Sequence, residues 1–320
     1  MINKINNGFK IFSGNSNRPL AERITTRLEV NLARASVGRW TNGECRIQLE
    51  ENVRGTDVFI IQSISWPANE NLMELLLMID AAKRASADRI TAVIPYYGYS
   101  KQEKKVRGRE PISAKLVANL IVAAGANRVL TVNLHAPAIQ GFFDIPVDHL
   151  DALSILAAKT KKTINLDGCV VVAPDKGRVE MAVELSAKLG AGMAIVFKRH
   201  PLENREDVKE VEFVGADLDG RTAIILDDMV LSGGTLLNAV NRVASCGVKE
   251  IHACIVHGAF CGDCLSKIES SPLGKVVVTD TIAADETAAG GKLVIASVTD
   301  MLAEAIRRIH YNKSVSEMFE

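Results

Sequence analysis

The chain has 320 residues, 48% of them hydrophobic, with 38 basic and 38 acidic side chains. That length supports two compact α/β domains, each with its own core. The zero net charge excludes a global pull toward DNA, RNA or anionic lipid, so any anion must be held by local clusters. The stretch Met1–Lys10 (MINKINNGFK) contains no apolar signal core, and no uninterrupted apolar run is long enough to span a bilayer. Six cysteines (Cys45, Cys169, Cys246, Cys254, Cys261, Cys264) are too few for a secreted disulfide scaffold. They predict reduced thiols in a cytoplasmic protein.

Short β-rich apolar runs alternate with helical patterns along the chain. Val58–Gln62 (VFIIQ) comes first, followed by Asn69–Ala87, where Leu72, Leu75, Leu76 and Ile79 share one helical face. Further strands are predicted at Ile90–Ile94, Arg128–Val132, Cys169–Ala173, Ala194–Phe197, Ala223–Leu226 and Glu250–Val256. The alternation predicts an α/β fold of mainly parallel sheets flanked by helices, with ligands at the carboxyl ends of the strands. The order strand, polar loop, helix, glycine, strand, histidine occurs twice, running from Thr91–Pro95 through Gly125 to His135 and from Thr222–Leu226 through Gly247 to His257. Generic α/β units can match by chance, but the repeat favours two similar domains, 1–150 and 151–300. The boundary falls near Asp148–Asp151, and a helical tail from Val298 to Tyr311 is expected to pack back on the first domain.

The strongest site signal is Ala223–Thr235 (AIILDDMVLSGGT). The apolar run ends in Asp227 and Asp228, which can accept hydrogen bonds from sugar hydroxyls. Gly233 and Gly234 permit a tight turn that brings backbone N–H groups close to a ligand, and Ser232 and Thr235 add hydroxyls. A helix over Thr235–Ser245 follows, with Leu236, Val240 and Val243 on its apolar face. Its N-terminus suits a phosphate dianion. No lysine follows the glycines, so this is not a Walker loop.

This loop resembles the phosphoribosyl-binding loop of the phosphoribosyltransferase-fold superfamily. Longer segments narrow the likeness: Val93–Ile121 (VIPYYGYSKQEKKVRGREPISAKLVANLI), Leu134–Leu150 (LHAPAIQGFFDIPVDHL), Arg39–Glu44 (RWTNGE), Asn52–Ser63 (NVRGTDVFIIQS) and Lys313–Phe319 (KSVSEMF). Together they are similar to the ribose-phosphate diphosphokinases, from about Phe12 to the C-terminus. The resemblance implies two phosphoribosyltransferase-like domains. It also implies transfer of the diphosphoryl group of ATP to O1 of ribose 5-phosphate, releasing AMP, with Mg²⁺ as cofactor. A homo-oligomer built from dimers, a hexamer in the family, is implied too. ATP and ribose 5-phosphate are then the partners, with no nucleic acid and no membrane.

The resemblance also assigns residues. Lys101, Gln102 and Lys104, in the basic segment Lys101–Glu110, would contact ATP; an isolated charge run would read as a solvated loop. Trp40, Asn42, Gly43 and Glu44 match the adenine-binding segment, whose loop reaches a neighbouring subunit in the family. His135 and Asp175 match the Mg²⁺-associated positions, with Asp144 and Asp148 as further acids downstream. Ala173–Arg178 (APDKGR) occupies the pyrophosphate loop. Lys198 stands at the catalytic flap and would stabilise charge on the transferring group. His200, Asp227, Asp228, Ser232, Gly233, Gly234 and Thr235 would hold ribose 5-phosphate. Arg54, Ser314 and Ser316 fit a regulatory phosphate site.

The chain departs from the family pattern at several of these places. Asn42 and Asn133 stand where many members have Asp, and Asn52 replaces a Ser of the regulatory site. Arg178 replaces a second Gly, His200 an Arg and Leu231 a third Asp, which some relatives also lack. These departures motivate a rival reading, a catalytically impaired regulatory paralogue of the enzyme. A second rival is a phosphoribosyltransferase acting on a base, against which the adenine-loop and basic-loop segments argue. Separately, His252, Cys254, His257, Cys261 and Cys264 cluster in sequence, including a C-x-x-C. Zinc would need a matched second pair, and alternate side chains on one strand cannot all converge.

Overall fold

The computed structural model describes residues 8–198 and 211–319. The chain divides into one unit of Met1–Asp151, Thr281–Ala283 and Val298–Glu320, and another of Ala152–Asp280 and Ala284–Ser297. Among the described residues, no helix is long and apolar enough to cross a membrane.

In the first unit, β1 (Phe9–Ser13) leads into α1 (Arg18–Arg27), which Asn17 caps by accepting the Leu20 N–H. An antiparallel hairpin of β2 (Ala35–Arg39) and β3 (Cys45–Leu49) stands apart from the main sheet. There follow β4 (Asp57–Ile61), α2 (Ala68–Arg84), β5 (Arg89–Ile94), α3 (Ser113–Ala124), β6 (Arg128–Val132) and β7 (Val147–Leu150). The sheet has the order β1-β4-β5-β6-β7 and is parallel throughout. Every residue of β4 is buried, as expected of a parallel strand covered on both faces. Helix α2 buries Leu75, Met78, Ile79 and Ala82, while Leu72 and Leu76 pack at the margin. Gly125 ends α3 in the left-handed conformation at φ 119°.

The second unit runs α4 (Leu153–Thr163), β8 (Val170–Ala173), α5 (Val179–Leu189), β9 (Gly192–Lys198), β10 (Val211–Gly215), β11 (Thr222–Val230) and α6 (Gly234–Ala244). It continues with β12 (Glu250–Gly258), α7 (Cys264–Ser270), β13 (Leu273–Thr279), α8 (Ala288–Gly291) and β14 (Leu293–Ala296). Its sheet has the order β10-β9-β8-β11-β12-β13-β14. Strand β10 runs antiparallel to β9, and the other registered pairs are parallel. From β8 the chain steps to β9 on one side, and from β11 to β12 on the other. The β8–β11 junction is therefore a topological switch point, where a crevice opens at the strand carboxyl ends.

Helix α9 (Thr299–His310) belongs to the first unit and buries Met301, Leu302, Ala305, Ile306 and Ile309. Its end is tied down by charge. Asp57 is 7% exposed and accepts Arg89 Nε at 2.9 Å, pairs with a second Arg89 nitrogen, and lies 3.0 Å from His310 Nδ1. Arg89 also donates to the Ile309 carbonyl at 2.9 Å. Asp57→Ala should lower the unfolding free energy of this unit by about 2 kcal/mol, because Arg89 and His310 lose their shared acceptor. Urea denaturation followed by far-UV circular dichroism measures it, and an unchanged midpoint would refute the anchoring role.

Several sequence expectations need correction. Strand β11 does not stop at Leu226 but continues to Val230, buried throughout. The repeated histidines are not equivalent: His135 lies three residues past β6, whereas His257 sits inside β12 and is 1% exposed. Asp148 lies within β7 and accepts Arg128 Nη1 at 2.6 Å, so it serves an ion pair between strands.

Candidate functional site

The main constellation in the second unit grows from the switch point. Strand β8 is registered with β11 only as far as Val172 opposite Ile225. Asp227 and Asp228 therefore lie beyond the last β8 partner while remaining in β11, on the carboxyl side of the junction. They are 7% and 2% exposed. The Asp228 N–H donates to Asp227 Oδ1 at 2.9 Å, and both carboxyls meet the Arg178 guanidinium. Burial, and then the neighbouring Asp228 charge, push the Asp227 carboxyl above the usual carboxylate range, against the pull of the Arg178 guanidinium. Such a pair is a dense set of buried oxygen acceptors suited to hydroxyl donors.

The loop after β11 completes this half. Gly233 adopts φ +78° and is the N-cap of α6. It is backed by Cys264, whose Sγ would stand 2.9 Å from any Cβ added at Gly233. The apolar face Leu236, Ala239, Val240 and Val243 is buried, which fixes the helix on the sheet. Gly234, Thr235 and Leu236 form the first turn, so their N–H groups have no partner within the helix. Ser232, Gly234 and Thr235 are exposed there. A helix N-terminus with small exposed residues holds an anion by backbone donors and dipole together. Leu231 is half-buried, and its carbonyl accepts the Cys261 N–H at 2.8 Å. Its side chain offers no oxygen for a ligand.

The loop after β8 faces the same crevice. Asp175 is exposed, and its Oδ1 accepts the Gly177 N–H at 2.8 Å. Arg178 follows as the N-cap of α5. Its Nε lies 3.4 Å from Asp227 Oδ1 and its Nη2 lies 3.2 Å from Asp228 Oδ1. This contact joins residues nearly fifty positions apart in the chain, and sequence reading missed it. Lys198 ends β9, while His200 lies outside the described residues.

In the first unit, Trp40, Asn42, Gly43 and Glu44 form the tip of the β2–β3 hairpin. The Trp40 N–H donates to the Glu44 carbonyl at 2.8 Å, and Gly43 turns the chain at φ 89°. Trp40 is 55% exposed, and the Arg46 guanidinium sits 5.0 Å from its ring centroid. The hairpin is held by an ion pair between Arg39 and Glu70 of α2. Lys101 and Gln102 open the basic loop before α3. Gln102 is committed locally: its Oε1 accepts Ser113 Oγ at 2.5 Å and its carbonyl accepts the Ala114 N–H at 3.3 Å. Lys104 pairs with Glu103 at 2.9 Å on the surface.

His135 is half-buried in the segment that follows β6. That segment rests on His149, another residue that sequence reading missed. His149 Nε2 accepts the Leu134 N–H at 2.8 Å, and burial holds its pKa below the ordinary imidazole value. Asn133, at φ 34°, donates to Asp151 at 2.6 Å; an Asn tolerates that left-handed backbone. Ser314 and Ser316 share a 2.9 Å hydroxyl contact, and the Arg54 N–H donates to Asn52 in its own turn.

The residues present bear on the implied Mg²⁺. Asp175 offers an exposed carboxylate, a hard oxygen donor that suits this ion, whereas His135 offers nitrogen. Among the described residues, no group of three or more His, Cys, Asp or Glu side chains is placed to hold a metal. The donor chemistry therefore fits an ion carried mainly by substrate phosphates and water, with one protein carboxylate. The Cys/His cluster disperses: His252 bonds Glu250 and Lys275, Cys254 packs against Thr160, and Cys264 lies under Gly233.

Comparison with known proteins extends this reading to the whole chain. Residues 9–125 match the family model "N-terminal domain of ribose phosphate pyrophosphokinase", and residues 198–320 match "Phosphoribosyl synthetase-associated domain". The ribose-phosphate pyrophosphokinase of Aquifex aeolicus is 47% identical, covering 98% of this chain and 99% of its own. That of Halalkalibacterium halodurans is 48% identical over 100% of both chains. The crystal structure of phosphoribosylpyrophosphate synthetase from Mycobacterium smegmatis superposes with a TM-score of 0.87 at 37% identity, covering 95% of this chain and 99% of that one. Identity at this level, sustained from end to end, means that the chain belongs to the ribose-phosphate pyrophosphokinase family.

Proposed function

We propose that this protein transfers the diphosphoryl group of ATP to O1 of ribose 5-phosphate, giving 5-phosphoribosyl 1-diphosphate and AMP. The single observation that carries the assignment is full-length identity near 47% to curated ribose-phosphate pyrophosphokinases. It disfavours both a regulatory paralogue and a phosphoribosyltransferase acting on a base. In this reading, ribose 5-phosphate binds the second unit. Its phosphate lies on the N-terminus of α6 with Ser232, Gly233, Gly234 and Thr235, and its hydroxyls donate to Asp227 and Asp228. His200 is assigned to the same site from the sequence alone.

ATP is assigned to the first unit, with its base against Trp40, Asn42, Gly43 and Glu44 and its phosphates near Lys101, Gln102 and Lys104. Gln102 acts there by shaping the start of α3. Mg²⁺ would supply charge neutralisation on the diphosphoryl oxygens, and Asp175 and His135 are each assigned to it by the resemblance. Lys198 adds positive charge where negative charge develops in the transition state. A cytoplasmic homo-oligomer and a regulatory phosphate at Arg54, Ser314 and Ser316 belong to the same proposal.

Purified protein supplied with ATP, Mg²⁺ and ribose 5-phosphate should release AMP in step with the diphosphorylated sugar. Absence of AMP at every metal and phosphate level would refute the assignment. Lys198→Ala should lower kcat about 100-fold while ATP affinity changes less than about threefold, the pattern of a group that acts in the transition state. Equal losses in both would remove Lys198 from that role.

A further inference from the structure

Three charged side chains meet at the switch point of the seven-stranded sheet. The side chains of Arg178, Asp227 and Asp228 are 11%, 10% and 3% exposed in their ion pairs, so water screens them weakly. The guanidinium is delivered by its loop. Arg178 is the residue before α5, and its own N–H donates to the Asp175 carbonyl at 3.3 Å. Its contacts of 3.4 Å and 3.2 Å with the acids are long for charge-assisted hydrogen bonds. The guanidinium is thus held loosely enough to be displaced, at a cost that a ligand must meet because the charges are buried, and each contact occupies a carboxylate oxygen of the pair.

We infer that Arg178 is a specificity-determining residue of the sugar site, whose guanidinium rests on the oxygens of Asp227 and Asp228 that accept the ribose hydroxyls and must be displaced by them. The inference rests on the assignment of the acid pair to ribose 5-phosphate. An internal competitor weakens ligands in proportion to how fully they use the acids. A sugar phosphate with both hydroxyls displaces Arg178 from both carboxylates. One lacking the 2-hydroxyl has a single donor for the pair and gains less when the competitor is removed. Sugars are thus compared by hydroxyl count against a fixed internal charge, while the phosphate loop contributes equally to both.

Calorimetric titration of the full chain without ATP tests this, with ribose 5-phosphate and 2-deoxyribose 5-phosphate as probes. Arg178→Gly should tighten ribose 5-phosphate binding about tenfold and the deoxy sugar less than about threefold. Arg178→Gln, which keeps the length and drops the charge, should reproduce that split and decides the matter if the glycine variant folds poorly. Arg178→Lys, which keeps the charge, should stay within about threefold of the parent chain for both sugars. Unchanged or weaker ribose 5-phosphate binding in the uncharged variants overturns the inference and leaves the sugar site standing. Equal tightening for the two sugars overturns it as well, since a general structural effect would not sense one hydroxyl. No ribose 5-phosphate binding by the parent chain overturns both the site assignment and the inference.

Discussion

Asp228→Asn should lower kcat/KM for ribose 5-phosphate about 1,000-fold, roughly 4 kcal/mol, without lowering the stability of the second unit. Asp228 is 2% exposed in a nine-residue strand that is buried from end to end. A carboxylate there offers two oxygen acceptors and no donor. The amide is nearly the same size, but it offers one neutral acceptor and turns N–H donors toward hydroxyls that also donate. The site would keep its shape and lose its polarity match, and a buried mismatch of that kind is penalised far more than a lost surface contact. Steady-state AMP release with ribose 5-phosphate varied measures the effect. A loss below about tenfold would mean that the sugar hydroxyls bind elsewhere.

Two carboxylates face one guanidinium, and burial together with Asp228 raises the Asp227 carboxyl above its ordinary value. A carboxyl raised on folding favours the folded state most when protonated. Its contribution is therefore full below the ordinary carboxylate value and is lost as pH rises through the raised one. Asn at position 228 removes the like charge and leaves a one-to-one pair of Asp227 with Arg178. The variant should lose less stability than the parent between about pH 5 and 8, measured by denaturant unfolding across that range. A steeper loss in the variant would contradict the charge count. Activity and stability would thus move in opposite directions at one residue, as expected where a binding site stores electrostatic strain.

Much of this was legible in the sequence, and the limits have physical causes. Continuous apolar runs such as Val170–Ala173 mark parallel strands because both faces are covered. The acid pair, glycines and α6 are contiguous, so their joint chemistry could be read directly. Strand β11 runs past its acids because pairing to β12 continues to Val230 opposite Gly258, which a local pattern cannot reveal. The Arg178 contact depends on β8 and β11 being neighbours, a property of sheet order rather than of spacing. Gln102 is assigned to ATP by the family resemblance alone; that its oxygens also hold the start of α3 is visible only in the folded chain. His149 carried no motif; only the folded chain shows it accepting the Leu134 N–H. The inclusion of Thr281–Ala283 in the first unit likewise has no local signal, and Ser63 donates to the Thr281 carbonyl at 2.6 Å there.

Gly233→Ala should destabilise the second unit by roughly 3 kcal/mol and raise the KM for ribose 5-phosphate about 100-fold, from two separable causes. The first is backbone conformation. Gly233 sits at φ +78°, where a Cβ costs about 1–2 kcal/mol through its approach to the following carbonyl. The second is packing. The new methyl would stand 2.9 Å from Cys264 Sγ, and Cys264 is fully buried at the start of α7, so the loop must move outward instead. Outward movement tilts the first-turn N–H groups of α6 off the phosphate, and this is why affinity falls along with stability. Cys264→Ala isolates the packing cause by removing the sulfur. In the double variant about half of the lost stability should return, because the clash is relieved while the left-handed backbone penalty stays. Affinity should recover by a larger share, since it depends on where the loop lies rather than on its backbone strain. A double variant that recovers neither would show that Cys264 does not set the loop position, and that the backbone preference of Gly233 alone shapes the anion site.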